Sequence, residues 1–442
     1  MNGVFLGIVL IAFGAAAWRE LTWVRPAADA VGPMQGLANA IVEAAANSVT
    51  LAIGLIGIMA LFLGLMKVAE AGGMLVVVAR TIRPLMVRLF PDVPGEHPAM
   101  GAMILNLSAN VLGLGNAATP FGIRAMQELD KLNPHKGTAT NAMVLFVVIN
   151  TASVTLLPTG VIALRAAAGS HDPAGVLPTT LIATAFATLV AIAAAKLLQR
   201  AAPVGPSLPA APEGAAADPS RLADIAGASG GTVPATDVAD ARAYPAWVSA
   251  AALVALAGLV PLTIAYGRAL SAWLIPGLVV FLLSFGAVRR VRVYEVFVEG
   301  ARDGFQIAVR IIPYLVAILV AVAMFRSSGA IDWTVGSVGA WTEKIGLPAE
   351  ALTMAALRSL SGSGAYGLLA AFLNDPRIGP DSYAGYLVST IQGSTETTFY
   401  VLAVYFGAVQ VRRIRHALAA GLVADLAGVV GAVAICSYLY GS

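Results

Sequence analysis

Nine stretches of roughly 20 apolar residues, at 3–18, 47–66, 138–164, 176–198, 246–265, 270–288, 305–325, 383–408 and 417–440, leave this chain few folds to choose from. At about 1.5 Å of rise per residue, such lengths match helices crossing a hydrocarbon core near 30 Å. A membrane barrel would need shorter strands alternating polar with apolar, and that alternation is missing. Composition agrees, with 58% hydrophobic residues, 12% charged and a mean hydropathy of +0.82. Ordinary soluble proteins carry about twice that share of charge. The first stretch lacks a basic leader and runs on to Trp18 and Trp23, which reads as a retained helix rather than a cleaved signal peptide.

Two further apolar stretches, 99–131 and 349–374, are split by the glycine tips Gly113-Leu114-Gly115-Asn116 and Gly362-Ser363-Gly364-Ala365. Arms of roughly 10–15 residues reach only about 15–22 Å, so each stretch reads as a re-entrant hairpin rather than a crossing. The segments before them, 74–90 and 332–346, mix apolar residues with Arg80, Arg83 and Arg88, or with Asp332, Glu343 and Lys344, and suit interfacial helices. The expected fold class is therefore all-α: a polytopic helical membrane protein with about nine transmembrane helices and two re-entrant helical hairpins in an inverted repeat.

With the N-terminus in the cytoplasm, the basic clusters Arg80/Arg83/Arg88, Lys131/Lys136, Lys196/Arg200, Arg289/Arg290/Arg292 and Arg412/Arg413/Arg415 all fall inside, leaving the C-terminus outside. That predicts a multi-pass protein of the bacterial cytoplasmic (inner) membrane. Residues 201–243, rich in Ala, Pro, Gly and Asp without apolar periodicity, read as a flexible cytoplasmic linker between membrane halves at 1–200 and 244–442. One constant shift lays Val42-Glu43 on Val298-Glu299, Ala52 on Ala308 and Gly73 on Gly329. Five crossings separate the two units, an odd number, so the second is inverted relative to the first.

Polar side chains gather beside the glycine tips and in the spans that follow them. The first half offers Asn110, Asn116, Thr119, Asn150, Thr151 and Ser153; the second offers Arg358, Ser361, Ser363, Gln392, Ser394, Thr395 and Glu396. Such groups at membrane depth are costly without partners, and together they are the candidate substrate site. Thr119-Pro120 reads as a helix start, with Thr119 as cap and Pro120 at the first helical position. Unwound carbonyls near Asn150 or Gln392 suit a cation such as Na⁺. The plainer reading is that Asn, Ser and Thr bond across helices, and that Arg358 and Glu396 neutralise each other. Arg310, near the cytoplasmic end of its span, reads as a snorkelling side chain.

Other chemistry is poorly supported. Gly113-x-Gly115-x-x-Ala118 and Gly362-x-Gly364-x-x-Gly367 fit a dinucleotide-binding spacing but follow no predicted strand. His97, His135, His171 and His416 lack metal-ligand spacing, Cys436 is the sole cysteine, and neither a nucleophilic triad nor a Walker sequence is present. No enzyme activity, resident cofactor or nucleic-acid partner is expected.

The run Leu112-Gly-Leu-Gly-Asn-Ala-Ala-Thr-Pro-Phe-Gly-Ile-Arg-Ala-Met126 resembles the spore maturation protein A family. Val298-Glu-Gly-Ala-Arg-Asp-Gly-Phe-Gln-Ile-Ala-Val-Arg-Ile-Ile-Pro-Tyr314, Arg358-Ser-Leu-Ser-Gly-Ser-Gly-Ala365 and Ile391-Gln-Gly-Ser-Thr-Glu-Thr-Thr-Phe-Tyr400 resemble the spore maturation protein B family. The resemblance implies a fusion within the nucleoside-recognition, or Gate-domain, group, which also includes parts of concentrative nucleoside transporters and of ferrous-iron transport protein B. It implies substrate held between hairpin tips and broken helices. By analogy with the nucleoside transporters, a Na⁺ site is expected near Asn110, Asn150, Thr151 and Ser153, and homo-oligomers are expected. The resulting expectation is a secondary transporter of a small polar solute, nucleoside-like or another small organic molecule or anion, with Na⁺ or H⁺ as coupling ion. The alternatives are a non-transporting membrane scaffold or regulator in envelope or spore maturation, or a channel.

Overall fold

The structure, a computed structural model, describes residues 2–24, 31–203, 244–329 and 342–441. The expected linker, from residue 204 on, lies outside the described residues, as does most of the expected interfacial segment 332–346. Among the described residues all regular structure is helical, apart from an isolated bridge between Thr138 and Arg413.

The first half runs α1 (Asn2–Thr22), α2 (Pro33–Ala71), α3 (Met74–Leu89), α4 (Pro98–Val111), α5 (Gly115–Lys131), α6 (Asn141–Thr151), α7 (Thr159–Ala167) and α8 (Val176–Leu198). The second runs α9 (Ala246–Val288), α10 (Val293–Ser327), α11 (Ala349–Leu360), α12 (Gly362–Leu373), α13 (Tyr383–Ser394), α14 (Thr398–Gly407) and α15 (Ala417–Tyr440). From α2 and again from α10 the same order recurs. A long helix of 39 or 35 residues leads. Hairpin arms of 14 and 17, or 12 and 12, residues follow. Then come two short helices end to end and a final apolar helix of 23 or 24 residues.

Local chemistry sets these starts. His97 Nδ1 accepts from the Ala99 N–H at 3.1 Å ahead of α4, Thr140 Oγ1 from Met143 N–H at 3.2 Å ahead of α6, and Ser382 Oγ from Gly385 N–H at 2.9 Å ahead of α13. Each satisfies a donor that the first helical turn leaves orphaned. Between α2 and α3 the chain bends by 68° through Gly73, at φ 80°, so the expected interfacial segment 74–90 is a helix set across the end of α2.

Three sequence expectations change. The spans 138–164 and 383–408 are each divided, at 152–158 and 395–397, because their polar centres leave the helical path. The Thr119-Pro120 start is not used: α5 begins at Gly115 and Pro120 sits inside it. Gly113, at φ 76°, makes the turn first, and Pro120, lacking an N–H, gives the carbonyl of residue 116 no donor from position 120.

Finally, 246–265 and 270–288 form one helical element of 43 residues, α9. Tyr244 N donates to Arg80 O at 3.4 Å, Phe285 packs on Gly72, and α9 also meets the short turn Pro173–Gly175 that precedes α8. A straight helix would hold Tyr244 and Phe285 about 60 Å apart. Since their partners Arg80 and Gly72 are only eight residues apart, α9 doubles back along its length.

By length and composition, two described helices, Pro173–Leu198 and Ala417–Tyr440, can cross a membrane, and a third if the bent pair Ile56–Ala71 and Met74–Leu89 counts as one. Equivalent helices of the two halves run antiparallel. Gly300 packs on Gly64 and Lys67 while Gly304 packs on Ala60, and a Cβ at Gly304 would lie 2.7 Å from the Ala60 Cα. Likewise Tyr440, ending α15, donates to Gly175 O before α8 at 2.9 Å, Gly431 packs on Ala183, and Arg415, before α15, bonds Ala202 O beyond α8. Small residues allow this close approach. Among the described residues all three hydrophobic clusters draw on both halves: Phe146 with Tyr405 in the first, Val161 with Tyr386 in the second and Ala12 with Met324 in the third.

Candidate functional site

Two interruptions of regular backbone meet in the middle of the bundle. Glu396 N, in the break between α13 and α14, donates to Thr151 O, at the break between α6 and α7, at 2.7 Å. The first hairpin tip closes on its neighbouring break through Leu156 N donating to Val111 O at 2.9 Å. A Cβ at Gly113 would collide with the Leu157 carbonyl, so the residue is glycine for closeness as well as for its positive φ. The second tip is a single extended residue, Ser361, whose hydroxyl accepts from Gly364 N–H at 3.1 Å and caps α12.

On the first side, Asn110 Nδ2 donates to Asn150 Oδ1 at 2.9 Å, joining hairpin to broken helix, and Asn150 Nδ2 donates to Phe146 O at 2.9 Å. Thr151, ending α6, and Ser153, in the break just after it, are buried and return their hydroxyls to Val148 O and Ile149 O of α6, at 2.7 and 3.0 Å. Thr119 is buried beside Tyr400. The side chain of Asn116 lies outside the described residues, as do those of Ser363 and Arg310.

On the second side Arg358 is the hub. Its Nε donates to Gln392 O at 3.0 Å, Nη1 to Thr397 Oγ1 at 2.9 Å and Nη2 to Glu396 Oε2 at 3.3 Å. The guanidinium side chain is 6% exposed, whereas that of Glu396 is 54% exposed. Ser394 Oγ donates to Ile391 O at 2.9 Å, and Thr395 and Ser394 pack against Gly428 of α15. The structure thus brings Asn110, Asn150, Thr151 and Ser153 to the first break and Arg358, Gln392, Ser394, Thr395 and Glu396 to the second, sets Thr119 across against Tyr400, and joins the two groups through the Glu396–Thr151 bond.

Sequence reasoning missed Tyr405 and Asp425. The Tyr405 hydroxyl accepts from Asn106 Nδ2 at 3.1 Å, and Tyr405 packs where Gly122 leaves room. Asp425, 7% exposed on α15, accepts from Thr398 Oγ1 at 2.9 Å through Oδ2, with Ser359 and Thr395 also alongside, while its Oδ1 has no hydrogen-bond partner. A lone carboxylate in an apolar 24-residue helix was the available signal. Among the described residues no group of three His, Cys, Asp or Glu is arranged to hold a metal ion.

Matched halves of apolar helices, with hairpins and broken helices converging at mid-bundle, define a class of helical membrane protein. The family model described as Gate, nucleoside recognition, matches residues 52–168 and 308–412. The chain belongs to this family. It is 46% identical over 173 residues to spore maturation protein B of Bacillus subtilis (strain 168), a match covering 39% of this chain and 96% of that protein. It is 42% identical over 161 residues to spore maturation protein A of the same organism, covering 36% of this chain and 82% of that protein. The two matches fit a fusion of an A-like and a B-like half. No solved structure matches the chain.

Proposed function

We propose that the chain is a secondary transporter that moves a small polar solute across the bacterial inner membrane by alternating access. The observation that carries this reading is the Glu396–Thr151 backbone bond, which sets two interrupted helices from opposite halves against each other between two hairpin tips. Irregular backbone at membrane depth is tolerated only inside protein or along a water-filled cavity, and the half-exposed Glu396 supports the latter. The antiparallel pairing of α2 with α10 and of α8 with α15 supports an inverted repeat with re-entrant hairpins. The doubling back of α9 supports the count of nine crossings, and the distribution of Lys and Arg supports a cytoplasmic N-terminus. The candidate residues named at the two breaks would line the route, with Asn110, Asn150, Thr151 and Ser153 available to a coupling Na⁺.

A second reading, a non-transporting scaffold, is favoured by one observation: the Thr151, Ser153 and Ser394 hydroxyls bond carbonyls of the adjoining helix, three or four residues back. Reconstitution separates the two. Purified protein in liposomes, screened with nucleosides, amino acids, dicarboxylates and metal ions, with and without sodium or proton gradients, should give saturable flux and a ligand-dependent rise in melting temperature. Flux that does not saturate identifies a channel. Neither flux nor a melting shift identifies a scaffold.

A further inference from the structure

A guanidinium with every nitrogen engaged is poorly placed to greet an anion. Arg358 is held by Gln392, Thr397 and Glu396, and its side chain is almost wholly buried. The charge that stays accessible is instead the half-exposed Glu396 carboxylate, whose Oε2 meets Arg358.

Behind it lies Asp425. It sits against Thr398, Ser359 and Thr395 and within the field of Arg358, with Oδ1 buried and unpartnered. Gln392 is 1% exposed, and neither end of its side-chain amide makes a well-formed hydrogen bond, though the Tyr366 hydroxyl is beside it. The cluster thus holds one fixed cation and two carboxylates. With both ionised it is one positive charge short, in surroundings where uncompensated charge is costly. Tyr366 and Tyr400 both lie close enough to Glu396 to feel its charge. Aromatic rings beside a carboxylate are a recurrent lining for ammonium groups.

We propose that the site takes up one positive charge at Glu396, backed by Asp425, presented either by an ammonium group on the transported solute or by a monovalent inorganic cation. Anionic solutes are thereby disfavoured, which narrows the solute class expected from sequence. The inference rests on the transporter reading of this site, because it is the cargo or its coupling ion that brings the charge.

The test is a melting series on the purified full chain. Ethanolamine hydrochloride, sodium chloride and potassium chloride are compared with tetrabutylammonium chloride, a bulky cation whose charge is shielded by its alkyl groups, at matched ionic strength; potassium succinate and potassium phosphate form the anion arm. Ethanolamine alone raising the melting temperature assigns the charge to the solute, and sodium or potassium alone assigns it to an inorganic ion. In either case Glu396→Gln, at a half-exposed position that should still fold, weakens the response at least about tenfold. Asp425→Asn should weaken it in the same direction. A cation response that survives Glu396→Gln overturns the proposal, as does stabilisation by succinate or phosphate beyond that of potassium chloride. If an uncharged solute alone stabilises and is carried, the charge proposal fails while the transporter stands. If no solute of any charge binds or moves, the transporter reading fails with it.

Discussion

The backbone N–H of Glu396 and the carbonyl of Thr151, 245 positions apart in sequence, meet at 2.7 Å where two broken helices cross. One hydrogen bond therefore ties the candidate sites of the two halves, and a change at either break should be felt at the other.

Gly113 is the sharpest local test. A side chain there is forced into a left-handed conformation and into the Leu157 carbonyl. Gly113→Ala should cost about 1–3 kcal/mol. It should also loosen the tip, lowering the melting temperature and abolishing saturable flux. A variant with wild-type melting and flux would mean that the tip does not close on the break.

Arg358 and Glu396 should behave unequally. Arg358→Met removes three hydrogen bonds from an almost wholly buried side chain and leaves the buried Thr397 hydroxyl and Gln392 carbonyl without that donor, a change worth about 1–3 kcal/mol or more. Glu396→Gln at a half-exposed position should cost less than about 1 kcal/mol. Denaturant or thermal titration of the two variants in the same detergent checks the ranking, and equal losses would contradict it.

The seam between α2 and α10 has no room to spare. Gly304→Val drives a side chain into the Ala60 backbone and should prevent assembly, whereas Gly14→Ala, with nothing within 4 Å, should be silent. Size-exclusion profiles of the two variants after extraction provide the comparison.

Inversion has a direct readout. With Cys436 replaced by Ala, cysteines introduced at His135, in the loop after α5, and at Lys344, ahead of α11, should react with an impermeant maleimide from opposite faces of oriented vesicles. Labelling of both from one face would end the inverted-repeat proposal.

Asp375, in the loop after α12, predicts a pH effect. Burial alone would raise its carboxyl, but the Arg377 hydrogen bonds and the Arg326 and Arg377 charges together hold it below the ordinary value of 3.8. A lowered carboxylate contributes stability that is fully present above its unfolded value and is lost as pH falls through the folded one. Asp375→Asn should therefore melt lower than wild type at pH 7, with the gap closing below about pH 4. A gap that is constant with pH would assign the loss to packing.

What could be read from the sequence follows from how far each signal reaches along the chain. The hairpin tips were legible because a turn at Gly113 needs glycine locally. Thr119-Pro120 misled for the same reason: a good local cap was pre-empted by a turn made earlier. The division of α6 from α7 showed only as a polar cluster at Asn150–Thr155, since apolar composition continues on both sides. Tyr405 was illegible, because an aromatic residue in an apolar helix carries no mark of partners such as Asn106 and Asn150, 299 and 255 residues away. Asp425 was legible in principle as a single charge in an apolar run.

The interlocking of the halves bears on why one polypeptide carries both. Each contributes to every hydrophobic cluster, and the buried Arg165 of the first reaches Pro380 and Asp381 of the second at 2.6 and 3.2 Å. Neither half completes the central site unaided. Covalent joining then secures stoichiometry: every A-like piece is born with its B-like mate at high effective concentration, and no surplus of either is left with a bare interface in the membrane.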